Sequence, residues 1–311
     1  MLLAKSQLLI LLTALLMMAG ADIAAQDLSR KFVVPPADTL QMLTLDDGST
    51  LVGRITEVGD SEIKFQTDLG EMTIAVTKIR DIKGVPVSSL KGGKYWFPNP
   101  NTTRLLVGPT ARTLKAGQGY FMDLWLFFPG VFYGITDNIT IGGGVSIFPG
   151  VDEQLFYIAP KVGFKAAKDL HVAASLFVFH LWDQNAYLGI GSMTYGSEDR
   201  SVTGGLGLAW HEAGMADKPA ATLGGEYRVS RRISLVGESW FIPGEIDEGE
   251  IIMGAVRLFS EKLSIDLGIA YAVDNKGDRN LEEDADYEFT DYDTDYDATT
   301  WVPYIDFVYN F

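Results

Sequence analysis

The 311-residue chain contains no cysteine. That absence excludes a disulfide framework, a thiolate zinc site, a cysteine nucleophile and an iron–sulfur cluster. Histidine is nearly as scarce: His171, His180 and His211 are all there is. Basic charge is short too. There are 25 Lys and Arg against 41 Asp and Glu, a formal net charge of −16. A nucleic-acid-binding surface needs the opposite sign. Long apolar runs are missing beyond the N-terminus. The nearest, from Tyr120 to Ile135, is broken by Asp123, Pro129 and two glycines. A membrane-crossing helix needs about 20 apolar residues, so none is expected there. The exclusion does not reach a transmembrane β-barrel, whose strands alternate apolar and polar residues and so average to an unremarkable hydropathy.

The first 25 residues read as a secretory signal peptide. Lys5 supplies the positive start, Leu8 to Met18 the apolar segment, and Ala19, Gly20, Ala21, Ala24 and Ala25 the small residues of a cleavage site. The apolar segment is too short for a comfortable membrane anchor. No cysteine follows it, which excludes a lipoprotein.

Residues 38–85 alternate short apolar-patterned strands with tight turns. Asp46-Asp47-Gly48, Gly59-Asp60 and Asp68-Leu69-Gly70 are the turn signals, and Ile63 with Phe65 marks one face. Five short strands are expected. The run from Leu45 to Ile82 resembles small SH3-like or Sm-like β modules, which implies a compact docking or spacer domain in the periplasm. A linker is expected at residues 86–102, where Pro86, Gly92, Gly93, Pro98 and Pro100 disfavour regular structure. Tyr95, Trp96 and Phe97 close it as either interface aromatics or packing residues.

The remainder carries an internal repeat. Asn138, Asp169, Ser201, Arg232 and Lys262 each precede an apolar–polar–apolar step, at separations of 31, 32, 31 and 30 residues. A short polar turn lies before each anchor, and a longer, more variable polar segment lies between anchors. A tilted transmembrane strand takes about 9–11 residues, so two strands, a short turn and a longer loop make about 30. A sandwich would put turns every 8–12 residues, and a propeller blade would need about 40 or more. The pattern predicts an up-and-down antiparallel transmembrane β-barrel over residues 103–311, with short turns at one end and long loops at the other. The repeats supply five strand pairs. A sixth is expected from Thr103 to Pro109 and Tyr120 to Phe132, giving about twelve strands.

Alternation assigns the faces. Leu263, Ile265, Leu267, Ile269, Tyr271 and Val273 share one face, and Ser264, Asp266, Gly268, Ala270 and Ala272 the other. A basic residue facing lipid at mid-depth costs about 2–4 kcal/mol, an acidic one somewhat less. Glu226, Arg228, Glu238, Arg257 and Asp266 are therefore expected inside, lining a pore or forming a salt-bridge plug.

The chain ends in a strand with Trp301, Pro303, Ile305, Phe307, Tyr309 and Phe311 on one face. This resembles the terminal strand of bacterial outer-membrane barrels. The resemblance implies that Ile305, Phe307, Tyr309 and Phe311 are read by the barrel assembly machinery, although the glycine common earlier in that signal is missing. The whole arrangement resembles outer-membrane β-barrel proteins of the Bacteroidota type with an N-terminal SH3/Sm-like β module. It implies the outer membrane of a Gram-negative bacterium, with membrane lipid and lipopolysaccharide as partners and no cofactor.

Between Asp274 and Asp297 stand eleven acidic residues against Lys276 and Arg279. With Phe311 ending at the periplasmic side, parity is expected to put this loop outside the cell. Asp291, Asp293, Asp295 and Asp297 offer oxygen ligands to divalent cations, but the spacing of a calcium-binding loop is absent, and a solvated loop is the plainer reading. Catalytic motifs are missing as well: no G-x-S-x-G, H-E-x-x-H or P-loop occurs, and none of the three histidines has a serine two residues on. His171 and His211 fall on the interior face, and His180 near an external rim. The expectation is a non-enzymatic outer-membrane barrel, acting as a narrow pore or envelope scaffold. The alternatives are an outer-membrane lipid-modifying enzyme that uses a histidine, and a soluble periplasmic or secreted β-rich adhesin.

Overall fold

The computed structural model describes residues 32–92, 94–150, 153–181, 184–212, 214–242, 248–275 and 300–311. The expected signal peptide and the ladder Asp291, Asp293, Asp295 and Asp297 lie outside the described residues. The chain divides into two compact units, Met1–Phe97 and Pro98–Phe311.

The first unit is an antiparallel sheet of five strands: β1 (Thr39–Leu45), β2 (Thr50–Val58), β3 (Glu62–Thr67), β4 (Gly70–Ala75) and β5 (Ile79–Pro86). They lie in the order β4-β3-β2-β1-β5. Period-two patterning builds its core. Ile63 and Phe65 are buried while Glu62, Lys64 and Gln66 are exposed, and Leu43, Ile55, Ile74 and Ile79 complete the cluster. The turn between β1 and β2 needs Gly48, whose φ of +83° lies in the left-handed region. Asp47 sets that turn as well: hydrogen bonds from Ser49, hydroxyl first and backbone N–H second, hold its carboxyl below the usual range. A small hairpin follows, β6 (Leu90–Lys91) and β7 (Lys94–Tyr95). Tyr95 and Phe97 are buried, so they pack within the protein rather than facing a membrane interface.

The second unit is a closed barrel. Its strands are β8 (Gly119–Leu124), β9 (Phe128–Thr136), β10 (Ile139–Val145), β11 (Phe156–Ile158), β12 (Lys161–Ala167), β13 (Leu170–Leu181), β14 (Gln184–Gly196), β15 (Arg200–His211), β17 (Ala220–Ser230), β18 (Ile233–Ile242), β19 (Glu248–Phe259), β20 (Leu263–Asn275) and β21 (Thr300–Asn310), with a two-residue β16 (Gly214–Met215) beside β15. β11 and β12 both lie between β10 and β13 and act as one wall strand, interrupted at Ala159-Pro160 where proline has no N–H to give the ladder. Each wall strand pairs antiparallel with its neighbour in sequence, and β21 pairs with β8 to close the ring. Among the described residues the wall thus has twelve strands, an even number in keeping with a single-chain outer-membrane barrel.

The two ends differ as the repeat requires. Residues 137–138, 168–169, 197–199, 231–232 and 260–262 make short connections at one end, and the wider intervals between β10 and β11, β15 and β17, and β20 and β21 fall at the other. The faces differ in chemistry. Leu206, Leu223, Leu235, Ile252, Leu267 and Ile269 point outward and are exposed, while Thr194, Thr203, Ser234, Ser264 and Asp266 point inward and are buried. A globular β protein would have the reverse. An apolar outside around a polar inside is the arrangement of a barrel that meets lipid.

One expected strand is absent. Thr103 to Pro109 forms no wall strand; the sixth pair is made by β8 and β9, both taken from the stretch Gly119–Thr136. The segment from Pro98 to Gln118 instead runs through the lumen. It has no period-two pattern, and a turn closed by an isolated bridge between Arg104 and Pro109 reverses its direction.

Candidate functional site

Eight strands close around a lumen that side chains can fill, and sixteen leave an aqueous channel. Twelve leave room for an extra segment, and residues 98–118 occupy it. Both limbs of this segment lie near the short-turn end. Asn99 donates to the Glu198 carbonyl, and the Arg112 guanidinium donates to the Gly196 and Ser197 carbonyls. On the way out, Thr113 and Ala116 bond to Asp137. The turn reaches deeper, to Glu238 at mid-strand.

Polar side chains on nine wall strands hold the segment. The Glu238 carboxylate accepts three successive backbone N–H groups, from Leu106 at 2.6 Å, Val107 at 3.0 Å and Gly108 at 2.7 Å. Trp240 Nε1 donates to the same carboxylate. Consecutive N–H groups converging on one anion form a nest, here filled by the wall. From β12, the Lys161 ammonium donates to the carbonyls of Thr103 (3.1 Å), Thr110 (3.2 Å) and Arg112 (2.5 Å). Tyr304 of β21 donates to the Leu106 carbonyl at 2.9 Å, and Arg257 of β19 to the Leu105 carbonyl at 2.5 Å. Thr140 of β10 accepts from Leu114 N–H, and Thr194 of β14 from Ala111 N–H. Asn101 donates to Ser264 of β20, Asn99 to Glu226 of β17, and Arg112 to Ser201 of β15. Backbone crossing a lumen must satisfy its own polar groups, and here the wall does it.

Charge pairing completes the lock. Register places Asp266 directly opposite Asp306, two like charges on adjacent strands. Arg257 bonds Asp266 at 2.7 and 2.8 Å and Glu226 at 3.1 Å. Arg104, from the lumen segment, pairs with Asp306 at 2.8 Å and Asp266 at 3.2 Å. All five side chains are buried. Burying charge is tolerable only with such pairing, so Arg104 is the counterion that lets the two aspartates face each other.

The structure places all five charges singled out in the sequence inside the wall. It brings Glu226, Glu238, Arg257 and Asp266 together on the lumen segment. Arg228 stands apart, tying the short-turn rim through Asp199 at 2.9 Å and the Arg231 carbonyl at 2.6 Å. Sequence reasoning missed Arg104, Lys161 and Asp306. Asp306 and Lys161 lie on alternating strands and carry the same signal as the five. Arg104 sits in an aperiodic stretch and carries none. In the last strand, Ile305, Tyr309 and Phe311 are exposed on the outer face, Phe307 is half-buried, and Tyr304, Asp306 and Val308 are inward and buried.

Of the histidines, His180 lies on the outer face, at the long-loop end of β13. Its Nδ1 is 3.0 Å from Asn185 Oδ1, Asn185 donates to Glu212 at 3.1 Å, and the His180 ring packs on Phe156. Among the described residues no hydrogen bond joins it to a serine or threonine hydroxyl. Among the described residues no group of three His, Cys, Asp or Glu is arranged to hold a metal.

No protein-family model and no curated protein matches this chain. Solved structures are similar at low identity. The KdgM porin superposes with a TM-score of 0.45 at 8% identity, over 62% of this chain and 98% of that one. The same porin in complex with disordered oligogalacturonate gives 0.43 over the same shares, also at 8% identity. Outer-membrane expressed OmpT of Vibrio cholerae gives 0.35 at 14% identity, over 88% of this chain and 95% of that one. The geometry of the chain itself is that of an up-and-down β-barrel with an apolar outside and a lumen occupied by its own backbone.

Proposed function

We propose that this protein is a non-enzymatic outer-membrane barrel sealed by its own residues 98–118, and not an open diffusion pore. One observation carries the reading: polar groups on nine wall strands, buried on eight of them, converge on that segment. The loop asymmetry supports a periplasmic position for the short turns, and we infer the same compartment for the N-terminal unit. The outer aromatic and aliphatic face of β21 is offered to the barrel assembly machinery. The exposed apolar wall is offered to membrane lipid, and the long-loop end to lipopolysaccharide. The enzyme alternative would rest on His180, which has an orienting Asn185 but, among the described residues, no hydrogen bond to a serine or threonine hydroxyl.

Single-channel recording in planar bilayers tests the seal. The intact protein is expected to give no sustained steps. A variant with Thr103 to Arg112 replaced by glycine and serine at equal length is expected to give large, steady ones. Steps of equal size from both proteins would overturn the reading.

A further inference from the structure

The barrel wall is not of even height. β8 has 6 residues and β10 has 7, against 12 or 13 in β13, β14, β15, β19 and β20. A transmembrane strand needs about 9–11 residues, so β8 and β10 stop short of a full crossing. Both rise from the short-turn end. β8 opens beside Phe311, with which Gly119 exchanges two backbone bonds at 2.9 Å, and β10 follows the short turn at residues 137–138. The shortfall therefore lies at the long-loop end. β21 pairs with β20 from Thr300 to Tyr309, but with β8 from Asp306 to Asn310. Beyond Ile305, whose carbonyl accepts the Trp125 N–H at 2.9 Å, the edge of β21 has no strand beside it among the described residues.

This low rim is apolar. Trp125 and Leu126 fill the two central positions of the β8–β9 turn, which closes with the Phe127 N–H on the Leu124 carbonyl at 3.2 Å. Both hold left-handed backbone, with φ of 53° and 63°. Such a turn normally takes Asn-Gly or Asp-Gly, and large side chains there carry strain. Keeping two apolar side chains against that strain fits a turn that stands in hydrocarbon. Leu126, Phe127, Ile147 and Phe148 are exposed on the crest, with Phe127 stacked on Phe148 at 5.2 Å. Phe127 and Ile147 extend the outward faces of β9 and β10, which carry Tyr133, Ile135, Ile139 and Ile141, so the crest is continuous with the lipid-facing wall. The β15–β17 connection, at the same end, instead exposes Glu212, Asp217 and Lys218. The bare edge of β21 is treated alike. Hydrocarbon does not tolerate unpaired backbone. Pro303 has no N–H to leave unpaired, and its carbonyl accepts the Trp125 indole N–H at 2.6 Å.

Behind the rim lies a cavity of about 260 Å³. Trp125 and Phe128 form its lip, and Phe132, Tyr157, Phe177 and Phe179 its sides. Toward the short-turn end it meets Lys161 and Arg104. Neither invites a charged head. An ammonium has three donors, and Lys161 gives them to the carbonyls of Thr103, Thr110 and Arg112. The charge of Arg104 is matched by Asp306 and Asp266. An apolar void left empty costs stability, and the apolar species standing at this lip are the tails of the surrounding lipid.

We propose that the rim over β8, β9 and β10 is submerged in the membrane, and that the cavity takes the alkyl tail of a membrane lipid, methyl end first, across the lip of Trp125 and Phe128. The headgroup stays at the membrane surface. This goes beyond the sealed-barrel reading and shares with it only the membrane-spanning wall.

Photoreactive lipids and the full-length protein in phosphatidylcholine nanodiscs test it. One tracer phosphatidylcholine carries a diazirine at the methyl end of an acyl chain, and a second carries it beside the carboxyl carbon. After irradiation, peptide mass spectrometry reads the labelled residues. The methyl-end label is expected on inward Phe177 and Phe179 as well as on outward Leu206 and Leu267. The carboxyl-side label is expected on Leu126 or Phe127 and not on Phe177 or Phe179. Ala159→Leu and Ser175→Leu each fill the cavity. Each should cut labelling of Phe177 and Phe179 at least about tenfold, by occupying the tail's volume, and leave Leu267 labelling unchanged. Heat-modifiable gel migration confirms that each variant is folded. Labelling of the outer wall with none at Phe177 or Phe179 overturns the proposal, as does inward labelling that the folded filling variants leave unchanged. Inward labelling by the carboxyl-side lipid alone overturns the methyl-first entry. No label on Leu206 or Leu267 would overturn the membrane-spanning wall itself, and conductance steps alongside intact inward labelling would overturn the seal alone.

Discussion

Arg104 holds two carboxylates that the register forces together. Removing one partner of a buried charge network typically costs about 3–5 kcal/mol, because the other charge stays buried and unpaired. Arg104→Ala is therefore expected to lower the unfolding free energy, read by urea titration in lipid vesicles, by an amount of that order. Arg104→Lys should recover only part of the loss, since an ammonium cannot present a planar fork to two acceptors. Glu238 is the second critical residue. Its loss would leave three backbone N–H groups of the turn without an acceptor, each worth about 1–3 kcal/mol when buried and unmet. Glu238→Ala should thus destabilise the sealing segment more than the wall. Hydrogen exchange at Leu106, Val107 and Gly108 is expected to speed up while the β13–β14 ladder stays protected; equal protection at both would count against this assignment.

The strands show why alternation was so readable and where it stopped. In β20, Leu263, Leu267, Ile269 and Tyr271 are exposed, while Ser264, Asp266 and Ala270 are buried, as the two-residue period demands. The outer face carries its own prediction. Leu267→Arg near the middle of β20 is expected to cost about 2–4 kcal/mol in folding into a bilayer, through desolvation of the guanidinium. A urea titration in vesicles reads this, and a change below experimental error would argue that Leu267 does not meet lipid. The wall strand split into β11 and β12 marks the limit. Pro160 breaks the ladder, yet Ala159 and Gly142 exchange backbone bonds at 2.7 and 3.2 Å, and the Pro160 carbonyl still accepts from Leu176 at 3.0 Å. The repeat survives a local break because both neighbours hold the two pieces.

The barrel unit behaves as a cylinder closed by β21 on β8 and filled from within. Closed barrels resist detergent until heated, so an unheated sample should migrate faster on a gel than a boiled one, and the protein should fractionate with the outer membrane. A single migration position together with recovery in the periplasmic fraction would remove the barrel reading. Coupling is expected at this scale too. Arg104 and Glu238 grip opposite sides of one turn, so the double alanine variant should lose less than the sum of the two single losses, by about 0.5–3 kcal/mol. A double-mutant cycle in urea measures it, and strict additivity would mean the segment is not held as a unit.

The repeat anchors at Asn138, Asp169, Ser201, Arg232 and Lys262 were legible because wall strands obey a local rule: every second residue must suit lipid, and every other one must not. The same rule placed Glu226, Arg228, Glu238, Arg257 and Asp266 inside without any knowledge of their partners. The fate of Thr103 to Pro109 was not legible. Its backbone has no periodicity, and its hydrogen bonds go to side chains between roughly 50 and 200 positions distant in the chain. Those acceptors and donors come together only once the ring has closed. Local patterning therefore determined the wall, its inside and its outside; closure alone decided that the lumen is occupied, because the sealing segment is defined by long-range polar partners and not by any preference of its own.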